Sequence, residues 1–314
     1  MENLLKNAER IRSLEIQGAT NIATHAIDFL SQYAQELECN DLGSYVNRMI
    51  EAKKILESTR VTEPAMRNGL NYIINKLEKE KECLDIKDIP AKIEILKNEY
   101  KEMLKNAKKK IAEIGARRIP NIEKDDKFII MTHCHSSVVT AILLEAKRQG
   151  KDSFKVINTE TQPKLQGRKT AKKLVTSGIE VIHIVDSAMR WAVNHYDVEL
   201  IIVGADSITS EGTVLNKIGT RLLALVAHEE HVPFYVASPL LKYNPETSFG
   251  MLEEIEMRDP TEIWDFQHNH LSILNPAFET VSRRYIDGLI TEAGIFASSH
   301  VHYYFTKLYP DLMR

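Results

Sequence analysis

Thr132-His133-Cys134-His135-Ser136-Ser137 places a thiol between two imidazoles, at the end of an apolar run and just before a helical pattern. A metal site, a reactive thiol and a buried, inert cysteine all fit such a triplet. Adjacent side chains of an extended segment point to opposite faces, so consecutive residues rarely bind one ion. Free cysteine is often buried and inert. Against that, Cys134 stands where a strand gives way to a helix, with Ser136 and Ser137 as candidate caps. Backbone N–H groups and the helix dipole at such a place favour a thiolate, and the two histidines could add to the effect. A functional thiol of lowered pKa is therefore expected, with preferential alkylation at Cys134 over Cys39 and Cys83 as its signature.

Asp206, in ELIIVGADSIT, is the second candidate. Gly204-Ala205 lets the backbone turn, and the carboxylate emerges at a strand end; a helix cap or turn former is the plainer alternative. Asn216-Lys217, just before a helix, could grip an anion or simply open an amphipathic helix. Gln166-Gly167-Arg168 offers a further anion contact. HEEH at 228–231 has its histidines three apart, unlike the HExxH of zinc proteases, and reads as the polar end of a helix. Neither GxGxxG after a strand nor GxxxxGK[ST] occurs, which disfavours dinucleotide and P-loop nucleotide sites.

The elements that must position these residues differ between the two ends of the chain. Up to about residue 118 the apolar residues recur three and four apart, in Ala19 to Leu37, Leu42 to Ser58, Glu63 to Glu80 and Ala91 to Ile114. An all-helical domain over 1–120 is expected. Lys108-Lys109-Lys110 on its last helix reads as a solvated face rather than a nucleic-acid patch, because no aromatics interleave. RRIPNIEKDD (117–126) reads as a linker. Beyond it come short Ile- and Val-rich runs: FIIM (128–131), FKVI (154–157), VIHIV (181–185), LIIV (200–203), PFYVA (233–237) and GLIT (288–291). Alternation of such runs with helix-length stretches predicts an α/β class with a parallel sheet over 121–314. Ligands of such sheets bind beyond the carboxyl ends of the strands, where the polar and reactive residues of this chain collect.

The 314 residues suit one large domain or two. A net charge of -3 gives no global pull toward nucleic acid or membrane. Three scattered cysteines without a CxxC pair argue against a disulfide framework and for a reducing compartment. The N-terminus, MENLLKNAERIRSLEI, lacks a signal-peptide apolar region and no run is long enough for a membrane span, so a cytoplasmic protein is expected.

Several stretches together resemble one superfamily along nearly the whole chain: IQGATNIA, STRVTEPAMRNGL, MTHCHS, NTETQPKLQG, VDSA, VGADSI, NKIGT, EIEMRDPTE and LNPAFE. That superfamily holds methylthioribose-1-phosphate isomerase, archaeal ribose-1,5-bisphosphate isomerase and the regulatory alpha, beta and delta subunits of translation initiation factor 2B. THCHS, MRDPTE and NPAFE resemble the ribose-1,5-bisphosphate branch most. The resemblance implies a helical N-terminal domain followed by a Rossmann-like domain. It also implies Cys134 and Asp206 as catalytic pair, with Gln17, Gly18, Ala19, Arg60, Gln162, Gln166, Asn216 and Lys217 at substrate-binding positions. The implied activity converts ribose 1,5-bisphosphate, derived from AMP, into ribulose 1,5-bisphosphate. The implied partners are a sugar phosphate, AMP as activator and further copies of the chain in a dimer or hexamer. The alternatives are isomerisation of another pentose 1-phosphate, such as methylthioribose 1-phosphate, or a non-catalytic regulatory protein. As a rule the regulatory subunits lack the Cys/Asp pair.

Two positions depart from the family pattern. Gln17 and Gln162 stand where arginine is usual, and glutamine brings neither charge nor a bidentate fork to a phosphate. The chemistry itself needs an acid toward the ring oxygen, because the anomeric oxygen is blocked, and a base that moves a proton from C2 to C1. A thiol and a carboxyl group can divide these tasks, with Cys134 expected as base and Asp206 as acid, or the reverse. No metal or redox cofactor is required.

Overall fold

The computed structural model describes residues 1–60, 62–80, 83–122 and 127–313. Positions 123–126 of the expected linker lie outside the described residues.

Five helices come first: α1 (Glu2–Arg12), α2 (Ala19–Glu36), α3 (Leu42–Glu57), α4 (Pro64–Glu80) and α5 (Ile89–Ala116). Each buries the stripe that its three- and four-residue spacing lays down. In α2 the buried stripe is Ile22, Ala23, Ala26, Ile27 and Leu30; in α5 it runs from Ile93 through Tyr100 to Ile111. Asp41 caps α3 by accepting from Ser44 N at 2.8 Å.

Strands and helices then alternate: β1 (Phe128–Thr132), α6 (Ser137–Arg148), β2 (Phe154–Thr159), α7 (Gly167–Thr176), β3 (Glu180–Ile184), α8 (Met189–His195) and β4 (Leu200–Val203). After the short β5 (Ser207–Ile208) and β6 (Val214–Lys217) come α9 (Thr220–Glu229) and β7 (Phe234–Ala237). β8 (Phe278–Val281), β9 (Gly288–Thr291), β10 (Gly294–Phe296) and α10 (Val301–Leu308) complete the chain. His228 and Glu229 of the HEEH run form the last turn of α9, as its polarity predicts.

The main sheet has the order β10-β9-β7-β4-β1-β2-β3, parallel except for β10. This is the expected Rossmann-like α/β arrangement. All four residues of β4 are buried, which explains its unbroken apolar run: a central parallel strand has both faces covered. The strand order reverses beside β1. From there the chain proceeds to β2 and β3 on one side and to β4, β7 and β9 on the other. The crevice between β1 and β4 is thus the topological switch point, where such sheets bind ligands. A second, antiparallel sheet, β5-β6-β8, stands beside it and carries Asn216 and Lys217 on β6. No simple alternation marks these three short strands in the sequence.

α4 is fastened to the turn after β7, where Asn68 Nδ2 donates to the carbonyls of Leu241 and Tyr243 at 2.8 and 2.9 Å. That seam places the residues before α4 opposite the switch point. Among the described residues, no helix is long and apolar enough to cross a membrane.

Candidate active site

Cys134 follows β1 and Asp206 follows β4, so these neighbouring strands deliver both groups to the switch point. The two loops touch at Gly204, where an added Cβ would lie 2.7 Å from Ser136 Oγ. Only glycine lets them approach this closely. Ser136 is the N-cap of α6 and accepts from Val139 N at 3.3 Å, as expected from its position.

Cys134 has a left-handed backbone, φ +67°. Such a conformation in a non-glycine residue persists only where its surroundings impose it. Here its N–H donates to Thr161 Oγ1 at 3.0 Å, and Thr170 Oγ1 donates to its carbonyl at 2.9 Å. The turn throws the thiol into the crevice and the histidines to either side. His133 is buried; its ring bonds Thr159 Oγ1 at 2.6 Å and the Ile218 carbonyl at 2.7 Å. Since the carbonyl can only accept, Nε2 carries the proton and Thr159 donates to Nδ1. His135 bonds Thr170 Oγ1 at 2.9 Å.

These facts correct the expected electrostatics of the thiol. Burial pushes both histidines below their ordinary range, so neither supplies a positive charge to Cys134. Burial also pushes the Cys134 thiol up to about 11. Lys217 and the His135 N–H pull it down, but desolvation outweighs them. Desolvation in the crevice thus favours the thiol over the thiolate. Among the described residues no cluster of His, Cys, Asp or Glu could hold a metal ion.

The crevice is a cavity of about 460 Å³. Cys134, Asp206, Gln17, Gly18, Ala19, Arg60, Gln166, Asn216 and Lys217 all line it, so residues far apart in sequence share one wall. Gln162 does not line it: its side chain turns to Glu160 Oε1 at 3.0 Å, and its N–H donates to Asp186. Arg168 is likewise outside, 3.8 Å from Glu160. Gly18, at φ +88°, precedes α2 and presents the free N–H groups at that helix start to the cavity. Gln17 Nε2 donates to the Leu14 carbonyl at 2.8 Å, steadying the turn before α2.

Glu63, Lys169, Lys242 and Arg258 also line the cavity, beyond the residues expected there. Arg60 Nη2 lies 2.8 Å from Glu256 Oε2 and 3.5 Å from Glu63 Oε1. Lys242 Nζ donates to the Ala205 carbonyl and so braces the loop that bears Asp206. Lys217 Nζ sits over the Phe278 ring at 4.8 Å, and burial pushes its pKa down. Glu63 is buried and pushed up, by burial first and then by the neighbouring Asp206 charge. Arg60 Nε, Arg258 Nη1 and Glu63 Oε2 are buried without a hydrogen-bond partner among the described residues. Natural proteins rarely leave such atoms unsatisfied, and here they surround a cavity that a polar ligand could fill.

A thiol and a carboxylate over a polar, cation-rich crevice at a switch point suit acid–base work on a small anionic molecule. Comparison with known proteins places this geometry in a family. The family model described as "Initiation factor 2 subunit family" matches residues 15–298, and the chain belongs to that family. It is similar to the ribose 1,5-bisphosphate isomerase of Thermococcus kodakarensis, 39% identical over 94% of this chain and 91% of that protein. Among solved structures it is similar to the translation initiation factor eIF-2B of Pyrococcus horikoshii, with a TM-score of 0.78 and 30% identity over 95% of this chain and 98% of that one. It is also similar to the 5-methylthioribose 1-phosphate isomerase of the same organism, with a TM-score of 0.77 and 26% identity over 98% and 88%.

Proposed function

We propose that this chain is a sugar-phosphate isomerase that converts ribose 1,5-bisphosphate to ribulose 1,5-bisphosphate, with Cys134 and Asp206 as its acid–base pair. The observation that carries this reading is the lining of the cavity. Both groups face a space bounded by five cationic side chains, Arg60, Lys169, Lys217, Lys242 and Arg258, against two carboxylates, Glu63 and Asp206. Two phosphates would find counter-charge there. Lys242 and Arg258, from other segments, bring charge to the cavity that Gln17 lines without any. The names of the ribose 1,5-bisphosphate isomerases to which the chain is similar support the same substrate.

In this reading the α2 start and the cations hold the phosphates, and Gln166, Asn216 and Lys217 border the reacting sugar. The Cys134 thiol gives its proton to the ring oxygen as the bond from C1 to that oxygen breaks. Asp206 takes the proton from C2, and the electron pair of that bond forms the C1–C2 double bond of an enol. Asp206 returns the proton to C1, while the C2 hydroxyl proton goes to the thiolate and restores the thiol. Because burial keeps the thiol protonated, the acid role falls to Cys134 and the base role to Asp206, the reverse of the first expectation.

The reading further holds that the protein is cytoplasmic, has a helical domain ending near residue 120 and a catalytic domain beyond it, and works as an assembly of copies with AMP as activator. Phe249, Leu252, Trp264 and Leu274, apolar and exposed in the irregular segment before β8, support the assembly. Conversion of ribose 1,5-bisphosphate, followed by phosphorus NMR with and without AMP, tests the function. New ribulose 1,5-bisphosphate signals are expected, and an unchanged substrate spectrum from folded protein overturns the reading.

A further inference from the structure

The lysine triplet of the last N-terminal helix is not the uniform solvated face that its composition suggests. Lys109 and Lys110 are exposed, but Lys108 is half-buried. It reaches a second cavity, of about 350 Å³, between α5, α6 and α7. Lys108 from α5 meets Lys169 and Lys173 from α7 there, together with His135, Ser137 and Thr140. No carboxylate lines this cavity. None of the three lysines has an ion-pair partner among the described residues.

Like charges held together without a counter-ion repel one another, and the titration behaviour agrees. Burial, then Lys173, pushes Lys108 down; burial, then Lys169 and Lys108, pushes His135 down. An anion would relieve this repulsion. Ser137 adds a hydroxyl beside the cations, while the Thr140 hydroxyl donates to the Ser136 carbonyl and Ala141 and Leu144 complete the wall; three cations without a carboxylate suit a phosphate group. His135, Ser137 and Lys169 line both this cavity and the catalytic one, so the two share a wall.

We infer that the cavity between α5, α6 and α7 is a phosphate-binding site coupled to the catalytic pocket through His135 and Lys169. The phosphate could be the second one of the bisphosphate substrate, which rests on the function proposed above, or that of a separate small molecule, which does not.

The test uses the full-length protein and a Lys108→Gln/Lys173→Gln variant, neither of whose altered residues lines the catalytic cavity. Calorimetric titration with inorganic phosphate should show one binding site fewer in the variant, or one weakened at least about tenfold. An unchanged site count with unchanged affinities overturns the inference, as does wild-type protein with no site beyond the catalytic pocket. Kinetics then identify the source. A rise in KM for ribose 1,5-bisphosphate but not for ribose 1-phosphate marks the substrate's own phosphate. An effect of added inorganic phosphate on wild-type turnover, absent in the variant, marks a separate ligand. If wild-type protein turns over neither sugar, the isomerase reading fails, while the titration still decides this one.

Discussion

The state of the Cys134 thiol gives the sharpest prediction, because the pocket moves it against intuition. A helix start ordinarily favours a thiolate, yet burial raises this group from an ordinary 9.0 to about 11. At pH 7.5 about 0.03% of Cys134 is then thiolate, against about 3% for an ordinary thiol, a gap of about a hundredfold. A thiolate of higher pKa is also more nucleophilic, which offsets about tenfold of that gap. Crowding by the pocket walls acts in the opposite direction. Cys134 should therefore alkylate at least about tenfold more slowly than the exposed Cys83 at pH 7.5. Iodoacetamide labelling, quenched at intervals and read peptide by peptide by mass spectrometry, measures both rates in one sample. The lag should shrink as pH rises from 9 toward 11, where Cys134 gains most of its thiolate. Faster labelling of Cys134 than of Cys83 at pH 7.5 would refute the reasoning, and with it the assignment of Cys134 as acid.

Two substitutions examine the pocket and its frame. Arg258→Gln removes a buried cation with an unsatisfied Nη1; the KM for ribose 1,5-bisphosphate should rise about 10- to 100-fold with kcat within about threefold, and an unchanged KM would remove Arg258 from the phosphate-binding set. Gly167→Ala would put a Cβ 1.7 Å from the Thr159 carbonyl oxygen; the strand end and α7 must part, so urea unfolding should show a loss of about 3 kcal/mol or more, and a loss below about 1 kcal/mol would mean the close approach is not needed.

Much of the fold was legible because its signals are local. The six Ile- and Val-rich runs are strands of the main sheet, and the three- and four-residue spacings mark helices α2 to α5. β5, β6 and β8 were not legible, since SI, VLNK and FETV form neither an unbroken apolar run nor a sustained alternation. The site divides in the same way. Cys134 and Asp206 stand at strand ends, where chemistry is expected. Lys242 lies just past the end of β7, so the same rule would have flagged it. Glu63, Arg258 and Glu256 lie outside helices and strands or at their edges and meet only through tertiary folding. Their advance signal was membership of the STRVTEPAMRNGL and EIEMRDPTE stretches, which marked the segments but not these side chains. The sign of the thiol's shift was illegible too, because desolvation depends on what other segments bring to the loop. Gln162, at a strand end, looked like a ligand, but its side chain closes on Glu160 instead.

The central claim is that Cys134 and Asp206 together move the protons of an isomerisation. Its most direct test is the rate of ribulose 1,5-bisphosphate formation from ribose 1,5-bisphosphate by wild-type protein, Cys134→Ser and Asp206→Asn, each shown to be folded. Turnover by wild-type protein with kcat lower by about 10²- to 10⁴-fold in each variant is predicted. Near wild-type turnover in either variant would contradict the pairing.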